Sequence, residues 1–347
     1  MNHLSSLAID TSNMGKITVK PVKTTIETVM DLARMCLADF QKHQFGDLDF
    51  SLSILNSNTT DPRRFYAVRA RAATADIVLK INYSGKNRDL FQREALTQQR
   101  IHNKFLTETG LHVPKVIHVS TILPFFAMEF VPGQAIHAAL RNHVMVEDED
   151  RIFYQTGKWL AKIHQLRALE NVAFAPEDAR RNLTMRIKGR EANAHGIYLA
   201  TEFDGYYQKL LSFGAGYEGH DNPVVLGHGD FHGDNLVYSN NGCTGLDFYN
   251  VRRLSAGLDI ARFLVHADLS QYEDPAKIGT LGLVQSHVDA FFDGYGQSPD
   301  KDHVFTYFIR LRLLETWSKF PESAGQDDHS RKALDLMVQR VDMAFAD

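Results

Sequence analysis

The chain has 347 residues, 44% of them hydrophobic and 23% charged, with a net charge of −4. That length predicts two domains or lobes, and the composition excludes disordered and fibrous classes. The two cysteines, Cys36 and Cys243, form no C-x-x-C, which excludes a disulfide scaffold and a zinc ribbon. Near-neutral charge argues against a dedicated nucleic-acid binder. No apolar run reaches the roughly 20 residues that cross a bilayer, and the first residues lack a signal-peptide pattern. A soluble cytoplasmic protein is the expectation.

Residues 1–45 read as an N-terminal extension with one helix. Ile26, Val29, Met30, Ala33, Leu37 and Phe40 recur at helical spacing, and Thr24 or Thr25 can cap it. From 46 to 131 the pattern is strand-like. Phe50–Leu55, Arg64–Ala70 and Ile77–Asn82 are β-prone, Asp89–Leu106 is helical, and Val116–Ser120 and Phe125–Phe130 are two further strands. This predicts a small antiparallel sheet with one helix. Val131-Pro132-Gly133 breaks the pattern and is the candidate linker. Residues 132–347 read as mainly helical, with Ile152–Leu166, Glu202–Phe213, Leu258–His266, Leu281–Phe292, Phe305–Trp317 and Arg331–Phe345 as helices. Short strands are expected at Val224–Leu226, Leu236–Tyr238 and Thr244–Phe248. The fold class is therefore α+β and two-lobed.

Gly214, Gly216 and Gly219 spell G-x-G-x-x-G, but after a helix and before a loop, where a dinucleotide site needs a strand before and a helix after. It reads as a flexible loop. The informative stretch is His228–Asn235, HGDFHGDN, followed by Asp247 in Leu-Asp-Phe. Two chemistries use such residues. One is a metal-dependent hydrolase with His228, Asp230, His232 and Asp234 as ligands. The other is phosphoryl transfer, in which an Asp accepts the substrate proton while an Asn five residues on and a later Asp hold the metal. Asp230, Asn235 and Asp247 fit the second pattern. So does Lys80 on a strand with Glu94 fourteen residues later on the next helix, as a phosphate-binding Lys and the Glu that orients it. The bland readings are a turn network, a snorkelling lysine and a solvated glutamate. The hydrolase reading leaves Lys80, Glu94 and Asn235 without a role.

These motifs resemble the aminoglycoside phosphotransferase and choline kinase-like family, whose fold is protein-kinase-like. The resemblance spans roughly Phe50 to Phe345. It rests on His228-Gly-Asp230-Phe-His232-Gly-Asp-Asn235, on Asp247, on Gly257-Leu-Asp259-Ile-Ala261 and on Met128-Glu129-Phe130-Val131-Pro132-Gly133. It implies that the Glu129 carbonyl and the Val131 N–H pair with adenine and that Met128 walls the base. Asp259 then anchors the catalytic loop. The family's nucleotide loop usually contains Gly, whereas 56–64 has none here. Ser57, Thr59 and Thr60 offer hydroxyl or backbone contacts to phosphate instead.

The expected activity is ATP- and Mg²⁺-dependent transfer of the γ-phosphoryl to a small-molecule hydroxyl. Lys80 grips the phosphates, Asn235 and Asp247 hold Mg²⁺, and Asp230 takes the proton. Residues 132–347 carry a net charge of −8 against +4 before them. That excess, with Tyr249, Tyr307 and Trp317, suits a cationic alcohol such as an aminoglycoside, amino sugar or choline. The basic run Arg180, Arg181, Arg186, Lys188 and Arg190 points instead to an anionic one, unless it is a solvated helix face. A non-catalytic nucleotide-binding module is the third reading.

Overall fold

The first described helix, α1 (Ile26–His43), buries Val29, Ala33, Leu37 and Phe40 along one face. In this computed structural model the described residues are 26–44, 46, 48–56, 65–82, 88–141, 149–167, 170–192, 196–269, 275–297, 303–326 and 328–346. The candidate caps of α1 and the loop residues Ser57, Thr59 and Thr60 lie outside them. Two compact units form, one from 1–103 with 113–131, the other from 104–112 with 132–347.

In the first unit α1 leads into β1 (Ser51–Asn56), β2 (Phe65–Arg71) and β3 (Asp76–Asn82), then α2 (Arg88–Phe105). The chain gives a two-residue strand, β4 (Leu111–His112), to the second unit and returns with β5 (Val116–Val119) and β6 (Phe125–Glu129). The sheet has the order β1-β2-β3-β6-β5, antiparallel throughout. Side chains alternate across a strand, so β3 serves two cores. Ile77, Leu79 and Ile81 pack towards α1, with Val68, Ala70 and Phe125. Val78 packs on the opposite face with Phe91 and Ala95 of α2 and with Phe126 and Met128. Position 80 shares the face of Val78, which turns Lys80 towards α2.

The second unit continues through β7 (Gln134–Ala135), α3 (Ile136–Arg141), α4 (Glu149–His164), β8 (Glu170–Ala173), α5 (Pro176–Ala192), α6 (Ala200–Tyr217) and β9 (Asp221–Gly227). It ends with β10 (Leu236–Ser239), β11 (Gly242–Gly245), β12 (Arg252–Ser255), α7 (Ala256–Asp268), α8 (Gln285–Tyr295), α9 (His303–Trp317) and α10 (Asp328–Ala344). Two small sheets, β4-β11-β10-β7 and β12-β9-β8, frame the 228–235 loop. The pair β4 and β11 is parallel, and the other pairs are antiparallel. α4 lies against α8 with glycines at the crossing. A Cβ at Gly157 would collide with the Phe291 carbonyl, and one at Gly294 with the Tyr154 carbonyl.

The G-x-G-x-x-G stretch is not the expected loop. α6 runs on to Tyr217 and takes in Gly214 and Gly216. Gly214 sits against Pro176 and Tyr307, where a larger residue would crowd. Each unit also encloses one thiol. Cys36 on α1 and Cys243 on β11 are fully buried, and burial pushes each thiol up to about 12. Among the described residues no helix is long and apolar enough to cross a membrane.

Candidate active site

In the first unit Lys80 and Glu94 form an ion pair. The Glu94 side chain is fully buried, and Lys80 retains 12% exposure. The pairing follows from the sheet. Lys80 stands opposite Ala67 of β2 and Phe126 of β6, at the centre of the sheet and on its α2 face. Phe65 stands 5.8 Å from the ammonium, ring centroid to Nζ. Met128, nearly buried, takes a contact from Gln98 Nε2 at 3.3 Å. Glu129 ends β6, and its carboxylate accepts the Lys115 N–H at 3.0 Å. Val131 closes the unit.

In the second unit the loop after β9 is anchored from below. Asp259, in the first turn of α7, accepts the backbone N–H groups of His228 at 2.6 Å and Gly229 at 2.9 Å. Burial opposes its ionisation, but hydrogen bonding from His164 and the loop amides holds its carboxyl below the usual range. Gly229 adopts φ +78°, where a side chain would also strike the Asn250 carbonyl. His228 is fully buried and bonds the Leu246 carbonyl at 2.8 Å. Burial lowers its pKa, so it stands neutral as a scaffold group. Phe231 stacks on Trp159 at 5.7 Å.

Asp230 projects from this frame. Arg262 of α7 ion-pairs with it, and His232 Nε2 lies 3.7 Å from its other oxygen. Burial works against its charge, but His232 and Arg262 outweigh it and hold the carboxyl far below the usual range. Asp230 is thus an ionised acceptor at any physiological pH. Asn235 donates its amide to the Asp230 carbonyl at 2.9 Å, which leaves its own side-chain oxygen as an acceptor. Asp247 follows β11 with φ 61° and ψ 71°, a left-handed backbone that is costly for a side chain with a Cβ. An amide oxygen and a carboxylate are the hard donors that Mg²⁺ takes, so these two residues fit that ion.

The four-residue metal alternation of the hydrolase reading does not gather, because His228 is turned to Leu246. Asp234 instead meets His137 of α3 and His266 of α7, with ligand atoms within 4.8 Å of one another. Burial lowers the pKa of both imidazoles, His266 to about 4.

A family model described as "Phosphotransferase enzyme family" matches residues 55–299, which span the Lys80–Glu94 pair, the 228–235 loop and α7. The chain belongs to this phosphotransferase family. No curated protein sequence matches the chain. Solved structures share its fold. A choline kinase from Cryptosporidium parvum Iowa II aligns over 89% of this chain and 95% of its own at TM-score 0.56 and 13% identity. An amicoumacin kinase, solved with AMP-PNP, Ca²⁺ and its ligand, aligns over 92% and 96% at TM-score 0.55 and 15% identity. A spectinomycin phosphotransferase, solved with ADP and spectinomycin, aligns over 90% and 97% at TM-score 0.52 and 14% identity. The protein is thus a phosphotransferase-family enzyme of protein-kinase-like α+β fold.

Within this phosphotransferase, Lys80 with Glu94 and Asp230 with Asn235 each come together inside their own unit. Residues that sequence reasoning missed include Arg262, His266 and His137. Arg262 lies three positions after Asp259 and His266 four further on, so one helix face supplies all three. That spacing was the available signal. Trp317 and Tyr307, expected as an acceptor platform, are fully buried core residues. Their polar atoms are spent on the Tyr198 carbonyl at 2.8 Å and the Pro176 carbonyl at 3.4 Å.

Proposed function

We propose that the protein transfers the γ-phosphoryl group of ATP to a hydroxyl of a small-molecule alcohol, with Mg²⁺ bound at Asn235 and Asp247. The observation that carries this reading is Asp230, held ionised by His232 and by its ion pair with Arg262, on a loop whose Asn235 is tied to the Asp230 carbonyl. Asp230 orients the acceptor hydroxyl and takes its proton. The hydroxyl oxygen forms a bond to the γ-phosphorus, the bond to the β,γ-bridging oxygen breaks, and ADP departs with that electron pair. The transition state is loose, so the proton leaves late and a weak carboxylate base suffices. Lys80, steadied by Glu94, holds the nucleotide phosphates, and the ends of β6 hold the base through Glu129, Val131 and Met128. Mg²⁺ supplies charge neutralisation on the phosphates. The cytoplasm is where such a nucleotide pool is met.

Thermal unfolding with and without AMP-PNP and Mg²⁺, for wild type and Asp247→Ala, tests this. A ligand at a hundred times its dissociation constant stabilises by about 2.7 kcal/mol. The expected result is a Mg²⁺-dependent shift that the variant loses. Stabilisation by Zn²⁺ or Mn²⁺ alone, with none by nucleotide, would favour the hydrolase. Nucleotide binding without turnover over a broad acceptor panel would favour a non-catalytic module.

A further inference from the structure

The basic run on α5 divides once it is folded. Arg180 and Arg181 pair with Glu177 and Asp178 of their own helix; Arg181 is solvated, and Arg180 turns inward towards the Tyr307 hydroxyl. Arg186 and Arg190 bond beyond that helix. Arg186 reaches the Glu315 carbonyl on α9 at 3.4 Å, and Arg190 reaches the Lys319 carbonyl at 2.6 Å. They tie α5 to the end of α9, where further cations stand.

Arg312, on α9, is paired with Glu315 at 2.8 Å and lies within electrostatic reach of Arg262 and Asp230. Lys319, just beyond α9, feels Arg312, Arg186 and Arg262. Glu315 and Asp230 are carboxylates that face this set. Arg186, Arg262, Arg312 and Lys319 thus gather around these two carboxylates, one of which is the proton acceptor. The arrangement is costly when nothing is bound. Partial burial, then Arg312 and Arg186, pull Lys319 down to about 8. Burial, then Arg262, also lowers Arg312, and its Nε is buried with no hydrogen-bond partner among the described residues. Lys319 remains exposed, so a solute can reach the set from solvent.

We propose that the acceptor alcohol carries an anionic group, a carboxylate or a phosphate, held by Arg186, Arg312 and Lys319 while its hydroxyl meets Asp230. The proposal rests on the phosphotransferase reading and deepens it. Guanidinium groups bind either oxyanion through parallel N–H donors, and an ammonium adds a point charge. A cationic alcohol would meet like charge at this wall, and of the aromatic platform it would need Tyr307 and Trp317 are locked in the core, leaving Tyr249, half-buried, beside Asp247. Asp234, the nearest further carboxylate on the loop, faces His137, His232 and His266.

The test uses the full chain with ATP and Mg²⁺ and acceptors matched in skeleton: glucose, glucosamine, gluconate and glucose 6-phosphate, then glycerol, choline, glycerate and glycerol phosphate. ADP release coupled to product mass gives kcat and KM. The expected result is kcat/KM about a hundredfold higher for an anionic member than for its neutral partner. The carboxylate and phosphate arms tell which oxyanion is used. Lys319→Gln and Arg186→Gln should raise KM for that acceptor about tenfold or more, the size of a lost charge-assisted bond. Lys319→Arg should keep the preference. The AMP-PNP shift in unfolding temperature confirms that each variant is folded and binds nucleotide. Equal or better transfer to neutral or cationic members overturns the proposal, as does the absence of transfer to every anionic member or unchanged KM in both Gln variants. If nucleotide neither stabilises the wild-type chain nor is turned over, the phosphotransferase reading itself fails.

Discussion

Arg262 acts on the chemistry through Asp230. With His232, the ion pair favours the charged carboxylate, and it occupies one of its two oxygens. Arg262→Met should lower kcat by about 10- to 100-fold and move the acid limb of the pH–rate profile upwards, as the Asp230 pKa returns towards its ordinary value. An unchanged acid limb would show that Arg262 only packs. The Lys80–Glu94 pair invites a different comparison. Lys80→Met leaves a buried carboxylate without its cation, which costs about 3–5 kcal/mol. Adding Glu94→Gln removes that charge. The double variant should regain thermal stability while turnover stays lost, because phosphate binding needs the ammonium. Recovery of turnover with stability would reduce the pair to a structural role.

Among the elements, α4 and α8 meet through glycines, and the crossing tolerates no added methyl. Gly157→Ala should destabilise the chain by about 1–3 kcal/mol, the usual cost of overpacking, read as a lower urea midpoint with an unchanged slope. Turnover at low temperature should persist. This element scale also shows what a sequence can reveal. The 228–235 loop was legible because Asp and Asn at fixed spacing belong to few chemistries. β3 was legible because its alternation is dense. β8 was missed because all four of its residues are exposed, so it has no apolar alternation to read. β12 was missed because it opens with two arginines. The G-x-G-x-x-G stretch misled because it was read as the loop after a helix, while that helix runs on through Gly214, which admits Pro176 and Tyr307. Arg312 and Lys319 carried no local signal. Their meaning comes from helices that are distant in sequence and adjacent in the fold.

At the scale of the whole molecule, several imidazoles are buried or half-buried, which disfavours their charged form. Burial lowers the pKa of His118, His137, His228 and His266, the last from 6.5 to about 4. Unfolded, each would bind a proton near its ordinary pKa. The stability they permit is therefore complete above about pH 6.5 and lost as pH falls towards 4, since the unfolded state then holds more protons. His266 is partly exposed, so its own share is of the order of 2 kcal/mol. The unfolding temperature should fall between pH 7 and pH 5, and His266→Gln should flatten part of that fall. A flat profile in the wild type would contradict the burial of these rings.

The placement of the two thiols gives the protein a built-in pair of reporters. Cys36 belongs to one unit and Cys243 to the other, and neither is a reactive thiolate while its surroundings stay closed. An alkylating reagent can mark each only when that unit opens. Peptide masses from one timed labelling of the unmodified chain would give two opening rates at once. Repeating the labelling with AMP-PNP and Mg²⁺ would show which of the two rates the nucleotide slows, without a single substitution.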